Sequence, residues 1–318
     1  MCFPKPLGAS FLEKGLGVNG LALAPRRPRR LAIGIPASLV SEVPHLREKT
    51  LRIGLVGRAA AIFRVEEIRI YFDGSDARLQ KDARLISLIL RYMETPQYLR
   101  RRLFGLRPEL RYAGVLPPLR TPHHPTRAKI SQLKLGEYRE GVVVSADSRG
   151  SWVDIGVEKP ALLPEPKVKG EKRITVRVSS IEGTKVLVEL ASRSRVPHYW
   201  GYVVPRPEQS LKELLSSGFD LIVATSRRGR RLADVSEDLV EDWLKSRSIL
   251  VVFGSPSRGL YEIAQSEGFR LDDYAHYVVN TIPVQGVETV RTEEAIYASL
   301  ALLNYLVDLH GTPFKKGV

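Results

Sequence analysis

The side chains best suited to chemistry sit in three short loops in the second half of the chain. They are Thr225 to Arg231 (T-S-R-R-G-R-R), Gly254 to Gly259 (G-S-P-S-R-G) and Asn280 to Gly286 (N-T-I-P-V-Q-G). Each follows a run that reads as a β-strand, and parallel α/β sheets bind ligands at the carboxyl ends of their strands. Gly254 and Gly259 let backbone approach a ligand closely. Taken singly, each loop also reads as an ordinary turn. The second is not a triphosphate-binding loop, because Leu260 and Tyr261 follow Gly259 where Lys and Ser or Thr are required. No Gly-x-Gly-x-x-Gly follows the first strand, which disfavours a dinucleotide oxidoreductase. Glu288, Glu293 and Glu294 fit two roles: accepting a proton from an acceptor, or favouring a helix N-terminus that Thr292 caps. His123 and His124 stand in a Pro-rich stretch with no partner cluster at ligand spacing, so no metal is expected.

The elements that must hold these loops alternate strand and helix. Leu31 to Ile35 reads as a buried strand and Val65 to Phe72 as an alternating one. Pro44 to Phe63 and Ala77 to Glu94 carry apolar residues at helical spacing. The pattern resumes with strands at Phe219 to Ala224, Ile249 to Phe253 and Tyr277 to Asn280. Helices are expected at Glu237 to Lys245, Leu260 to Glu267 and Thr292 to His310. Strand–helix alternation at this spacing means a parallel α/β sheet. Between the halves, Gly141–Ser145, Ser151–Ile155, Lys172–Val178 and Lys185–Leu190 read as short strands between two Pro-rich stretches. About sixty residues of this kind fit a small OB-like β-barrel inserted into the α/β domain. The expected division is a flexible basic arm (1–30), an α/β domain (31–128 with 196–318) and a barrel (129–195). The barrel has its own strands and linkers, so it should be removable without unfolding the rest.

Charge points to the partner. The 318 residues carry 49 Lys and Arg against 35 Asp and Glu, a net +14. Residues 1–128 hold 23 basic and 10 acidic side chains, while residues 196–318 hold 13 and 16. A thermophile surface enriched in ion pairs adds both signs together, so this one-sided excess favours a polyanion such as RNA. The candidate RNA contacts are Arg100, Arg101 and Arg102 in one run, and Arg227, Arg228, Arg230 and Arg231 beside the first loop. Lys172 and Arg173 are the candidates on the barrel, where Arg139, Arg149, Lys167, Lys169 and Arg177 interleave with Trp152, a residue suited either to the barrel core or to base stacking. The single cysteine, Cys2, excludes an intramolecular disulfide and a multi-cysteine zinc site. No apolar run is long enough to span a bilayer, and a cytoplasmic protein without a membrane partner is expected.

Together the loops resemble the SPOUT class of S-adenosylmethionine-dependent RNA methyltransferases. Val251 to Leu260 (V-V-F-G-S-P-S-R-G-L) is similar to the second motif of the class, and Asn280 to Ala295 to its third. Ile33 to Ser38, Gly57 to Phe63 and Val65 to Ile68 resemble its N-terminal half, and the inserted barrel matches the archaeal and eukaryotic branch. The resemblance covers residues 30–318. It implies a C-terminal trefoil knot, an exception to unknotted topology, a homodimer, and S-adenosylmethionine bound without metal. Phe253, Ile282, Pro283 and Val290 would then form the adenine slot. Gly254, Ile282 and Val290 would offer main chain, and Thr225, Asn280 and Thr289 side-chain hydrogen bonds, with Ser255, Gly259 and Gly286 in the same loops. Arg58 stands where relatives place a basic group near the target nucleotide, and its alternative is an ordinary surface arginine. Two positions depart from the class: Pro256, where relatives often have Glu, and Arg291, where many have Asn. A non-catalytic RNA-binding or ribosome-assembly factor that kept the fold is the alternative function.

Overall fold

The computed structural model describes residues 23–165, 168 and 172–311. Most of the expected arm, residues 1–22, lies outside them, as do Lys167 and Lys169.

Five strands build one wholly parallel sheet: β1 (Arg30–Pro36), β2 (Glu67–Tyr71), β8 (Leu221–Arg231), β9 (Ser248–Val252) and β10 (Tyr277–Asn280), in the order β10-β8-β9-β1-β2. Side-chain alternation divides their apolar residues between two cores. Leu31, Ile33, Val223, Ile249 and Val251 face one side, packed against α1 (Leu46–Ile62), α2 (Ala77–Glu94), α5 (Ser236–Lys245) and α7 (Thr292–Gly311). Ala32, Ile222, Ala224, Leu250 and Val252 face the other, covered by α4 (Leu211–Leu215) and α6 (Leu260–Ser266). Two buried faces explain why β1 and β9 read as unbroken apolar runs, whereas β2, at the sheet edge, alternates. Two helices, α4 and α3 (Gln97–Phe104), are too short to show helical periodicity and leave no mark in the sequence.

The insertion closes on itself as a five-stranded barrel, ordered β3-β4-β5-β7-β6 with β3 pairing β6. Its strands are β3 (Tyr138–Asp147), β4 (Gly150–Asp154), β5 (Ala161–Leu163), β6 (Arg173–Glu182) and β7 (Lys185–Ala191). The three-residue β5 carries too few positions for a sequence pattern. The barrel has its own apolar core, including Val143, Val153, Leu163, Val176 and Val188.

Two boundaries differ from expectation. The basic cluster before β1 is not loose. Arg26 pairs with Glu66 at 2.6 Å, Arg27 donates to the Asn304 side chain at 2.6 Å and Arg29 donates to the Leu244 carbonyl at 3.0 Å, strapping residues 26–29 across the α/β domain. The stretch Thr225 to Arg231 is not wholly a loop. Opposite Val278 and Val279 of β10 the partner on β8 jumps from Ala224 to Arg230, so residues 225–229 bulge out and the strand then rejoins the ladder.

Candidate active site

The strand order places the carboxyl ends of β10, β8 and β9 side by side, which brings the three chemistry-bearing loops together. Each is tied to its neighbour. The Thr225 hydroxyl donates to the Val252 carbonyl at 3.0 Å. Asn280 donates through Nδ2 to the Arg227 carbonyl and accepts the Ile282 N–H on Oδ1, both at 3.0 Å, an Asx turn that also clasps the bulge of β8. The Arg227 guanidinium donates back to the Glu288 carbonyl at 3.0 Å. From β9, the Ser255 N–H meets the Arg258 carbonyl at 2.9 Å, and Thr292 at the start of α7 donates to the Gly254 carbonyl at 3.0 Å. Gly229 is where the bulge crosses β10: a Cβ there would lie 2.7 Å from the Val278 carbonyl oxygen. The floor is anchored from the other half of the sheet. Tyr71 donates to the Phe253 carbonyl at 2.7 Å, and the Phe253 N–H donates to Gly34 at 2.9 Å.

These loops enclose a cavity of about 320 Å³. Thr225, Phe253, Gly254, Ser255, Gly259, Asn280, Ile282, Thr289 and Val290 line it, as the sequence reading expects, while Pro283 and Gly286 stand outside the lining. Arg227 and Arg228 line it as well, with Pro256 in the wall. Beyond the expected residues, Arg258, Glu262 and Gln285 also brace the cavity. Arg258 reaches across to the Asp73 carbonyl, while Asp73 itself accepts from the Ser38 hydroxyl at 2.6 Å. Glu262 accepts the Gly259 N–H at 2.8 Å and the Arg228 guanidinium at 2.7 Å. Gln285 donates to the carbonyls of Val287 and Glu288 at 2.8 and 3.0 Å. An acid at the third position of a helix, the usual place for a carboxylate that caps the N-terminus, is a signal that points to Glu262. Nothing in the spacing points to Arg258 or Gln285.

A family model described as "Putative RNA methyltransferase" matches residues 30–303. The chain belongs to this RNA methyltransferase family. It is 35% identical over 290 residues to an uncharacterized protein of Halobacterium salinarum, covering 85% of this chain and 96% of that one. It is 33% identical over 312 residues to the human 28S rRNA (uridine-N(3))-methyltransferase, covering 87% and 78% respectively. The Drosophila melanogaster protein of the same name is 30% identical over 313 residues, covering 87% of this chain and 62% of its own length.

In this methyltransferase Arg58 is not among the residues that line the cavity of its own chain. Its guanidinium donates to the carbonyls of Pro118 and Leu119, both at 2.8 Å, on the α1 face beside Tyr297 of α7. Of the carboxylates that follow the third loop, Glu288 lines the cavity. Glu294 accepts the Arg291 N–H at 2.9 Å, and Glu293 is buried toward Arg52, 3.7 Å away. Both of these serve the first turn of α7.

The basic residues separate into two kinds. Arg228, Arg230, Arg231, Arg101, Arg102 and Lys172 are exposed. Arg100 and Arg173 are occupied inside the fold, contrary to expectation. Arg100 donates to the carbonyls of Thr95 and Met93 and lies over the Tyr92 ring. Arg173 bridges Glu94 of α2 and Glu140 of β3, each at 2.6 Å, because two buried carboxylates must be neutralised where barrel meets α/β domain. Burial alone would raise the Glu94 carboxyl, but Arg173, His123 and Arg193 around it hold it well below the usual carboxylate range. The histidines have a structural place here. His123 and His124 both direct Nε2 to the Glu94 carbonyl at 2.8 Å. A carbonyl only accepts, so both rings donate through Nε2–H. Trp152 is not barrel core: its half-exposed ring lies under Arg149 and its N–H donates to Asp147 at 2.9 Å. Among the described residues, no group of three or more His, Cys, Asp or Glu side chains is placed to hold a metal ion.

Proposed function

We propose that this RNA methyltransferase transfers the methyl group of S-adenosylmethionine to N3 of a uridine in ribosomal RNA. The observation that carries the reading is the cavity at the carboxyl ends of β8, β9 and β10, built from the loops with the class resemblance and opening among exposed arginines. Its fit to the methyl donor is chemical. Phe253, Ile282, Val290 and Ala295 give apolar wall for an adenine, and Ser255, Asn280 and Thr289 stand as polar neighbours. Gly254 lets the wall of the cavity fold tightly: a Cβ there would sit 3.2 Å from the Arg258 carbonyl oxygen and 3.3 Å from the Leu260 nitrogen. A bound sulfonium supplies an already activated methyl, so the protein's task is to hold the donor, orient the acceptor and manage a proton. The uridine assignment follows the names of the human and fly relatives.

The finer architecture belongs to the same reading. Strand β9 lies between β1 and β8, and the bulge of β8 is clasped to the segment after β10, which supports a SPOUT trefoil knot around the cofactor loops. The closed barrel with its half-exposed Trp152 and exposed Lys172 supports an OB-like RNA-binding insertion. Leu51 and Ile62 of α1 and Leu302, Tyr305 and Leu309 of α7 are exposed apolar residues on two helices that pack together, which supports a homodimer through that face. Arg58 lies on α1, so it would serve the partner's cavity and not its own. Nucleoside mass spectrometry of ribosomal RNA from a deletion strain, with calorimetry of donor binding by the purified protein, tests the reading. Loss of 3-methyluridine and measurable donor affinity are expected. Donor-free protein that still binds RNA would make it a non-catalytic factor.

A further inference from the structure

Methylating N3 of a uracil ring leaves a proton to be placed. The nitrogen carries a hydrogen between two carbonyls, and its electron pair is free to attack only as that hydrogen leaves. Three cavity-lining side chains have the chemistry to take it: Tyr261, Glu262 and Glu288. The Tyr261 hydroxyl donates to Asp272 at 3.0 Å. Both oxygens of Glu262 are taken, one by Arg228 at 2.7 Å and the other by the Gly259 N–H at 2.8 Å. Glu288 differs. Its backbone is fixed, because the carbonyl accepts from Arg227 and from Gln285, each at 3.0 Å. Its side chain is exposed at the mouth, and no hydrogen bond or ion pair to its carboxylate exists among the described residues. A carboxylate on a pinned backbone, uncommitted, and on the wall that RNA must approach is placed to act as a base.

Resting on the uridine reading above, we infer that Glu288 accepts the N3 proton of the target uridine. The carboxylate takes the proton as the N3 electron pair bonds to the methyl carbon. The carbon–sulfur bond breaks with its pair going to sulfur, so the sulfonium becomes a neutral thioether. The protonated Glu288 then returns its proton to water. Arg227, tied to the Glu288 backbone, supplies positive charge beside the uracil oxygens where negative charge gathers.

The test uses full-length protein, S-adenosylmethionine and a large-subunit ribosomal RNA transcript made with UTP or 5-fluoro-UTP. The fluorine makes the imide more acidic, so less help from a base is needed. Glu288→Gln is expected to lower the single-turnover rate by about 10²-fold, the usual contribution of a positioned base. Its rate should climb with pH where the wild-type rate has levelled off, and the fluorinated RNA should restore the variant far more than it speeds the wild type. Donor affinity by calorimetry and the melting temperature should be unchanged. A variant within a factor of about three of wild type, or an equal fluorine effect on both proteins, overturns the role of Glu288 while wild-type 3-methyluridine leaves the uridine reading standing. Wild-type protein that forms no 3-methyluridine overturns that reading, and the role of Glu288 with it.

Discussion

Gly254 and Gly286 look alike in the sequence, each the glycine of a loop beside a strand, yet their surroundings differ. A Cβ at Gly254 would press on the backbone of residues 258–260, whereas a Cβ at Gly286 would meet nothing within 4 Å. Gly254→Val should therefore cost at least about tenfold in donor affinity, roughly 1.4 kcal/mol, because the added side chain must push aside the 258–260 backbone that walls the cavity. Gly286→Ala should leave affinity unchanged. Calorimetry on both variants, with melting temperatures as a control for folding, decides it, and equal losses would move the donor away from the β9 loop. The contrast marks what residue types reveal. Glycine identity shows that a position is permissive, but only packing shows whether the missing side chain makes room for a ligand. The same holds for arginine. Arg173 and Arg231 are indistinguishable in a list of cations, and one neutralises two buried carboxylates while the other faces solvent.

At the scale of elements, the junction of α2, β3, β6 and the 193–202 segment governs how barrel and sheet are joined. Glu94, Glu140, Arg173, Arg193 and the Trp200 indole form one buried network, with Trp200 donating to Glu140 at 2.5 Å. The barrel is thus not simply removable. Excising residues 133–192 takes Arg173 and Glu140 away from Glu94 and Trp200, so the deletant is expected to lose cooperative unfolding. Arg173→Met should by itself cost on the order of 3–5 kcal/mol, the usual price of an unpaired buried charge, measured by chemical denaturation. Acid should weaken the same junction. Burial, with His123 alongside, pushes His124 down to about 3 from 6.5, so the folded state binds fewer protons than the unfolded state between those values. Stability is then full above about pH 6.5 and falls as pH drops toward 3, by on the order of 5 kcal/mol at most. Glu94, held low by its cations, adds to the loss below the carboxylate range. A melting curve that stays flat from pH 7 to 4, or that His124→Asn does not flatten, would refute this. The sheet, the five other α-helices and four barrel strands were legible because periodic runs repeat the burial pattern, while α3 and α4 were too short to show one. The network was not, because its members are scattered from Glu94 to Trp200 and only the fold makes them neighbours. The bulge of β8 was hidden for a related reason: Thr225 to Arg231 has loop composition, and its return to the ladder depends on where β10 lies.

At the scale of the whole molecule, the charge excess and the apolar helices make separate claims. Phosphate contacts should dominate RNA affinity, with a salt slope of roughly 0.7 per neutralised phosphate on single strands. Arg230 and Arg231 are exposed, whereas Arg228 lines the cavity and pairs with Glu262. Changing Arg230 and Arg231 to Ala should flatten the slope by about two phosphates' worth while donor binding survives. Arg227 is left out because it also braces the Glu288 backbone. The proposed dimer has a sharper test, because it would give Arg58 a function that a monomer cannot. Arg58→Ala leaves a complete cavity without the arginine, and Gly254→Trp leaves the arginine beside a blocked cavity. Each homodimer should be inactive. Mixed one to one and allowed to exchange, about half of the dimers carry one chain of each kind. Each of these holds one working site, open cavity from one chain and Arg58 from the other, so about a quarter of wild-type activity should return. Tyr305→Asp, placed in the apolar face of α7, should abolish that recovery and yield monomers in sedimentation. If Arg58 served the cavity of its own chain, no mixture would regain activity, because every chain would still lack either the arginine or the open floor. Activity of Arg58→Ala alone, unmixed, would instead return Arg58 to the role its hydrogen bonds already display, bracing Pro118 and Leu119 against α1.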